Sequence, residues 1–386
     1  MILLRVLPIE EFAIYALALS ATQIIALASD FGLSHAVTAE IGKTAKSRSK
    51  NGAIYNASIG IAVRYFCIAL VFCLPLFSLI LWKMQTTIYQ TIILVLAVAT
   101  IALLQFGQAL RRAAVAANGD IKSINSIGFA EAVTRLVGFG LCTILPTAVA
   151  ALAVTGLGAI VARQISLRRC QLHVDLNQQS TVEQRSTLLH FASPLIAVII
   201  YQSIQSQSAT YILAISGLTL AIAELNALAR LGQMVAILMA VNTFIVQPTF
   251  ARITNENCFR SRSLKVVAAV VSLSALVFWS TYLMPSLWLA LLGSKYARLS
   301  EELPIAVAAP LCMLIGGTIY SIVISKVGTR FQFLYAPLGI AAQASHFILF
   351  GISGTSDALF FNLLAAVLYV VLQLSIMSYI FVQRRI

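Results

Sequence analysis

Long apolar stretches, each broken by a short polar turn, recur along the whole chain. They occupy residues 12–29, 54–82, 87–110, 125–143, 147–165, 188–215, 219–247, 266–293, 304–325, 334–352 and 358–382. A helix needs roughly 20 predominantly apolar residues to cross the hydrocarbon of a bilayer. Each of these eleven stretches is therefore a predicted membrane-spanning helix. None shows the alternation of a membrane barrel strand. The expected fold class is an all-α polytopic membrane protein.

Composition strengthens this reading. Of 386 residues, 60% are hydrophobic and only 10% charged, against about 25% charged in soluble domains. The net charge of +13 would point to nucleic acid in a soluble chain, but its placement says otherwise. The chain ends Gln383-Arg384-Arg385-Ile386, and a cytoplasmic C-terminus fixes the side of every loop. Nineteen lysines and arginines then fall inside, in loops 43–50, 111–122, 163–185, 252–265 and 326–330 and at the C-terminus. Four fall outside: Arg5, Lys83, Lys295 and Arg298. Such a bias is the positive-inside rule, so the charge reports topology and no nucleic-acid partner is expected.

The longest polar connector, residues 164–186, lies inside between the fifth and sixth stretches. The opening "MILLRVL" reads as the last turns of a helix whose beginning is missing. Counting it, the connector divides six helices from six: an N-terminal bundle over 1–165, a cytoplasmic linker over 166–186 and a C-terminal bundle over 187–386. Transporters built from structural repeats have this layout. Pro75 and Pro310 fall inside apolar stretches, where each removes a helix hydrogen bond. They are read either as packing features or as hinges.

Catalytic chemistry finds little support. Asp30-Phe31-Gly32 matches a kinase tripeptide, but the glycine-rich loop, strand lysine and catalytic-loop motif are absent from the sequence. The same residues read better as an elbow. The helix 12–29 leaves lipid at Asp30, Gly32 permits a bend, and Ser34 caps a short helix over 35–42. No phosphate-binding loop, HExxH or GxSxG occurs. The largest outer turn offers Glu301 and Glu302, but Lys295 and Arg298 sit beside them and an exposed mixed-charge turn results. The six cysteines form no CxxC pair and the four histidines have no metal-ligand spacing. The expectation is a protein that is not an enzyme and uses no cofactor or metal.

Charges within the apolar stretches carry more information. Arg64, Glu131, Arg135, Glu224 and Arg230 each occupy a position costing about 3 kcal/mol in hydrocarbon, so they face a bundle interior or water. Glu131 and Arg135 are spaced to pair on one helix face. Glu224 and Arg230 are not. Arg64 has no acidic neighbour on its helix. Isolated arginines favour an aqueous cavity for anions, and the planar guanidinium suits phosphate oxygens. In "YQSIQSQSATY", Gln202, Gln205 and Ser206 share one helical face and Ser203 and Gln207 the adjacent one. Such groups suit sugar hydroxyls or a wet lumen; they equally suit hydrogen bonds between helices.

Three segments carry a resemblance. Leu7-Pro8-Ile9-Glu10-Glu11-Phe12-Ala13, followed by Asp30-Phe31-Gly32, resembles the opening of Wzx-type polysaccharide flippases. There a leucine-glycine-proline-glutamate-glutamate-tyrosine-glycine turn precedes a helix ending in aspartate-x-glycine. Residues 220–253, with Arg230, Pro248 and Arg252, resemble that family's eighth helix, although Glu224 stands near a usual tyrosine. Residues 291–307, with Gly293 and Tyr296, resemble its turn before the tenth helix. The resemblance implies the twelve-helix fold shared with MATE-type exporters. It also implies translocation of a polyprenyl-pyrophosphate-linked oligosaccharide across the bacterial inner membrane for O-antigen or other surface polysaccharide. Expected partners are that substrate, membrane lipids and other polysaccharide-assembly membrane proteins. On this reading Arg64, Arg135 and Arg230 hold pyrophosphate, with Glu131 and Glu224 in the same cavity, and Gln202, Gln205 and Ser206 contact sugar. A MATE-type drug or cation antiporter is the nearest alternative, and a membrane polymerase or ligase the next.

Overall fold

The computed structural model describes residues 2–44, 47–242, 246, 249, 250, 253, 255–327 and 331–383. Lys46, Pro248, Arg252, Arg330, Arg384 and Arg385 lie outside the described residues. A short helix α1 (Ile2–Val6) precedes α2 (Ile9–Asp30), α3 (Leu33–Thr44), α4 (Arg48–Lys83), α5 (Ile88–Gln105), α6 (Gln108–Ala117), α7 (Ile121–Leu141) and α8 (Ala148–His173). Then follow α9 (Val182–Ile215), α10 (Thr219–Val241), α11 (Glu256–Leu283), α12 (Pro285–Leu292), α13 (Glu302–Val327), α14 (Tyr335–Phe350) and α15 (Thr355–Gln383).

Eight helices among the described residues are long and apolar enough to cross a membrane, and a ninth if the two limbs of α9, bent by 57°, count as one span. The eleven-span expectation differs by α7, α9 and α10. Helices α7 and α10 are of spanning length, and each carries two of the charges noted in the sequence, Glu131 and Arg135 in the one and Glu224 and Arg230 in the other.

Several boundaries move from their expected places for local reasons. Phe31 and Gly32 both take positive φ (36° and 82°), so the chain turns at once between α2 and α3. The Asp30 carboxylate accepts the Ser34 N–H at 2.9 Å and the Ser34 hydroxyl at 2.7 Å. Asp30, not Ser34, thus caps the start of α3. Gly107, at φ 68°, ends α5 and lets α6 begin directly. Arg111, expected in an inner loop, is consequently buried at 4% exposure. It donates to Ser166 Oγ at 3.0 Å and to the Phe106 carbonyl at 3.1 Å. Asn255 caps α11 ten residues before the expected start, and Pro285, which cannot continue a helix with a full set of bonds, opens α12 instead.

Two compact units divide the chain, Val6–Gln207 and Ser208–Ile386 with Leu3–Arg5, the division falling within α9. In the first unit, α2 packs against α4, α5 and α8. Its buried face is rich in alanine, with Ala13, Ala16, Ala18 and Ala21 all inaccessible or nearly so, which lets helices approach closely without a hydrophobic drive from water. Glu11 accepts the Ala148 N–H at 2.6 Å and so binds the start of α2 to the start of α8. The connector after α8 is laid along the first turns of α4. Asp175 N–H donates to the Arg48 carbonyl at 3.1 Å, and Asn56 donates to the Leu176 and Gln178 carbonyls at 2.9 and 2.7 Å. A Cβ at Gly52 would meet the Asp175 carbonyl oxygen at 2.0 Å, so only glycine permits this seat.

In the second unit, α13 is central and packs against α10, α11 and α15. Helix α13 runs through Pro310, whose ring lies 3.0 Å from where a Cβ at Gly232 of α10 would stand. Pro75 likewise lies inside continuous α4. Gln332 and Gln373 exchange amide hydrogen bonds at 3.2 and 2.8 Å, so each of these buried amides both gives and accepts one bond between the turn before α14 and α15.

Candidate functional site

The charged residues of α7 form a cluster larger than the pair expected. Arg135 donates to one oxygen of Glu131 at 2.6 Å. Arg112 of α6 donates to the other at 3.0 Å. One carboxylate thus lies between two guanidinium groups, leaving a local excess of one positive charge. The Nε atoms of Arg112 and Arg135 are buried without hydrogen-bond partners among the described residues. Gly158 of α8 makes room for the Arg135 stem; a Cβ there would stand 2.8 Å from Arg135 Cγ.

Beside this cluster is a cavity of about 260 Å3, lined among others by Ser29, Asp30, Gln105, Gln108 and Arg112. Gln108 Nε2 is also buried without a partner. Three buried donor atoms near Glu131 thus stand without acceptors among the described residues, and two of their residues, Arg112 and Gln108, line this cavity. Asp30, an elbow residue in the sequence, is the acidic group on the cavity wall.

The other expected residues are distributed as follows. Arg64 is exposed on α4. On α9, Gln202 and Ser206 are exposed and Gln205 is half-buried. The Ser203 and Ser206 hydroxyls donate to carbonyls of their own helix. Gln207 donates to Gln23 of α2 at 2.9 Å, an interhelical hydrogen bond of the plainer kind. Arg64 and Arg135 belong to the first unit and Arg230 to the second. Arg230 is half-buried and bonds Gln233 at 3.3 Å.

Glu224 is 8% exposed and both its oxygens are engaged inside the second unit. Arg298 donates to one, and the Thr355 hydroxyl to the other at 2.6 Å. The turn read as an exposed mixed-charge loop is thereby docked onto α10 and α15, with Ser356 also donating to Glu302 at 3.3 Å. Gly293, at φ 103°, and buried Tyr296 shape this turn. Burial, and then the nearby Glu224 charge, push the Tyr296 phenol up to about 12.

Sequence reasoning missed Arg112, Gln108, Arg298 and Thr355. Arg112 is 19 residues from Glu131 and belongs to a different helix, so helical spacing carries no signal for the pair. No group of metal-ligating side chains that could hold an ion occurs among the described residues.

Comparison with known proteins now gives the class. The polysaccharide biosynthesis protein family matches residues 1–254, and the chain belongs to that family. The fold is that of MATE transporters. An inward-facing multidrug resistance MATE family transporter of the MOP superfamily aligns with a TM-score of 0.67 at 13% identity, covering 96% of this chain and 94% of that one. A eukaryotic MATE transporter aligns with a TM-score of 0.58 at 15% identity, over 95% and 87% of the two chains. The bent form of a Vibrio cholerae MATE transporter gives 0.52 at 16% identity, over 96% and 95%. A search of curated proteins returned no match. The chain is a multi-pass membrane protein of the polysaccharide biosynthesis family with a MATE-like fold.

Proposed function

We propose that this protein flips polyprenyl-pyrophosphate-linked oligosaccharide units across the bacterial inner membrane, with its C-terminus in the cytoplasm. The observation that carries the reading is the Arg112–Glu131–Arg135 cluster in a polysaccharide biosynthesis protein with a transporter fold. A pyrophosphate is the charged part of such a substrate, and paired guanidinium groups suit its oxygens. Arg64 and Arg230 add further positive charge, Gln202, Gln205 and Ser206 offer contacts for sugar, and the prenyl chain stays in lipid. Pro75, Pro310, Asp30 and Gly32 are the positions assigned to bending during alternating access. The chain acts as a carrier, not an enzyme, alongside other membrane proteins of polysaccharide assembly.

The fold supports a second reading, a drug or cation antiporter, because the similar solved structures include multidrug transporters. Vesicle translocation distinguishes the two. Replacing Arg112 or Arg135 by alanine leaves Glu131 one arginine partner, so insertion and folding should survive. Translocation of a fluorescent lipid-linked oligosaccharide should fall at least about tenfold, as expected for a lost charge-assisted hydrogen bond. Unchanged rates in both variants would remove the cationic cluster from the mechanism.

A further inference from the structure

Helices α14 and α15 carry a cavity that translocation, as read above, does not use. It measures about 410 Å3. His346 and Phe350 of α14 line it, with Asp357, Phe360, Leu363, Leu364 and Val367 of α15. The α15 positions recur at three- and four-residue steps, so they form one stripe down a single helix face. From Asp357 to Val367 that stripe is about 15 Å long at 1.5 Å per residue. Half the hydrocarbon thickness is about 15 Å. The stripe is thus about as long as one leaflet's hydrocarbon is thick. It opens onto a surface where Phe350 is 74% and Phe360 48% exposed.

The polar groups sit at one end. Asp357 lies in the first turn of α15, and Ser353 fixes its carboxylate by donating a backbone N–H at 3.0 Å and a hydroxyl at 2.6 Å to the same oxygen. No lysine or arginine lines the cavity, and Asp357 has no ion-pair partner among the described residues. His346 Nδ1 is buried with no hydrogen-bond partner among them. Phe350 and Phe361 flank the His346 ring, with centroids 5.3 and 6.0 Å away.

We propose that this groove holds one bilayer phospholipid with a primary-amine headgroup. Its ammonium sits on Asp357, its glycerol ester region meets His346, and one acyl chain lies along Phe360, Leu363, Leu364 and Val367. Charge complementarity selects this occupant. An ammonium carries three N–H donors and a positive charge, which answers a carboxylate that accepts hydrogen bonds from Ser353 and Gly354 but has no ion-pair partner among the described residues. A quaternary amine has the charge but no N–H donor. A net anionic headgroup, and equally the pyrophosphate of a lipid-linked sugar, is repelled by Asp357.

The test uses the full chain purified in detergent and incubated with dioleoyl phosphatidylethanolamine, phosphatidylcholine or phosphatidylglycerol. Retained lipid is counted by native mass spectrometry. Phosphatidylethanolamine should be retained about tenfold better than either other lipid, the scale of one charged hydrogen-bonded contact. Equal retention of all three by the unaltered protein overturns the proposal without recourse to any variant. Asp357→Asn should bring phosphatidylethanolamine down to the level of the others, and an undiminished preference in a folded Asp357→Asn protein also overturns it. Leu364→Trp fills the groove and should abolish retention of every lipid; retention at the original level would place the lipid elsewhere.

Discussion

Asp120 shows how a single side chain holds two elements together. Its carboxylate caps α7 by accepting the Ser123 N–H at 3.1 Å and the Ser123 hydroxyl at 2.6 Å, and it meets His173 of α8 at 3.3 Å. The Ser123 bonds, first the hydroxyl and then the backbone, hold the carboxyl below the usual carboxylate range, and His173 adds to them. A depressed folded-state value means the contribution is present above the unfolded pKa of about 3.9 and disappears as pH falls through the folded value. Asp120→Ala should therefore lower thermal stability at pH 7 by about 1 kcal/mol, the worth of an N-cap. The difference between it and the unaltered chain should shrink only below the reference carboxylate value of about 3.9 and vanish once the pH lies below the depressed folded value. Glu224 makes the same point in the second unit. It joins α10 to Arg298 and to Thr355, so Glu224→Ala should destabilise that unit by about 1–3 kcal/mol, much of it from the stranded Thr355 hydroxyl. Thr355→Val, which removes the hydroxyl and keeps the shape, should cost less than Glu224→Ala in the same detergent melts. The reverse order would mean that Glu224 acts through some other contact.

Between elements, the determining features are close approaches that one residue type allows. The connector after α8 seats against α4 only because position 52 is glycine, since the Asp175 carbonyl would stand 2.0 Å from any Cβ. Gly52→Ala must push the connector off α4, and overpacking of this kind costs about 1–3 kcal/mol. The connector bonds of Asn56 should then loosen, and limited proteolysis should cut residues 174–181 faster than in the unaltered chain; an unchanged cutting rate would show that the connector relaxes without leaving its seat. Helix existence was legible in the sequence because apolar runs in lipid have few other ways to satisfy their backbone. Helix ends were legible less often. Arg111 and Arg112 looked like loop residues because a basic pair after an apolar run usually marks the membrane surface. The turn at Gly107 folds them inward instead, and that depends on α8 offering Ser166 to Arg111. Similarly, the Glu131–Arg135 pair followed from helical spacing, whereas Arg112 reaches Glu131 through tertiary packing that no local pattern encodes.

For the molecule as a whole, the sign of the intramembrane charge separates the two transport readings. Glu131 is bracketed by Arg112 and Arg135, and Glu224 is engaged by Arg298 and Thr355. These two intramembrane carboxylates are thus already answered within their own units. Among the described residues Arg64 has no ion pair and Arg230 bonds only the neutral Gln233, so both remain there as uncompensated positive charge. In a medium of low dielectric such charge repels cations and attracts anions far more strongly than it would in water. Proteoliposomes containing this chain should accordingly translocate a labelled polyprenyl-pyrophosphate oligosaccharide and leave a fluorescent cationic dye undisplaced. Arg64→Ala and Arg230→Ala should each reduce the first activity by about tenfold, one charge-assisted contact each, without conferring the second. Cells relying on either variant should insert the protein normally and lose surface polysaccharide. Efflux of the cation by the unaltered chain, or full polysaccharide in both variants, would reverse the assignment. The remaining acids would then have to work as cation sites despite their arginine and threonine partners. That requires those partners to separate during transport.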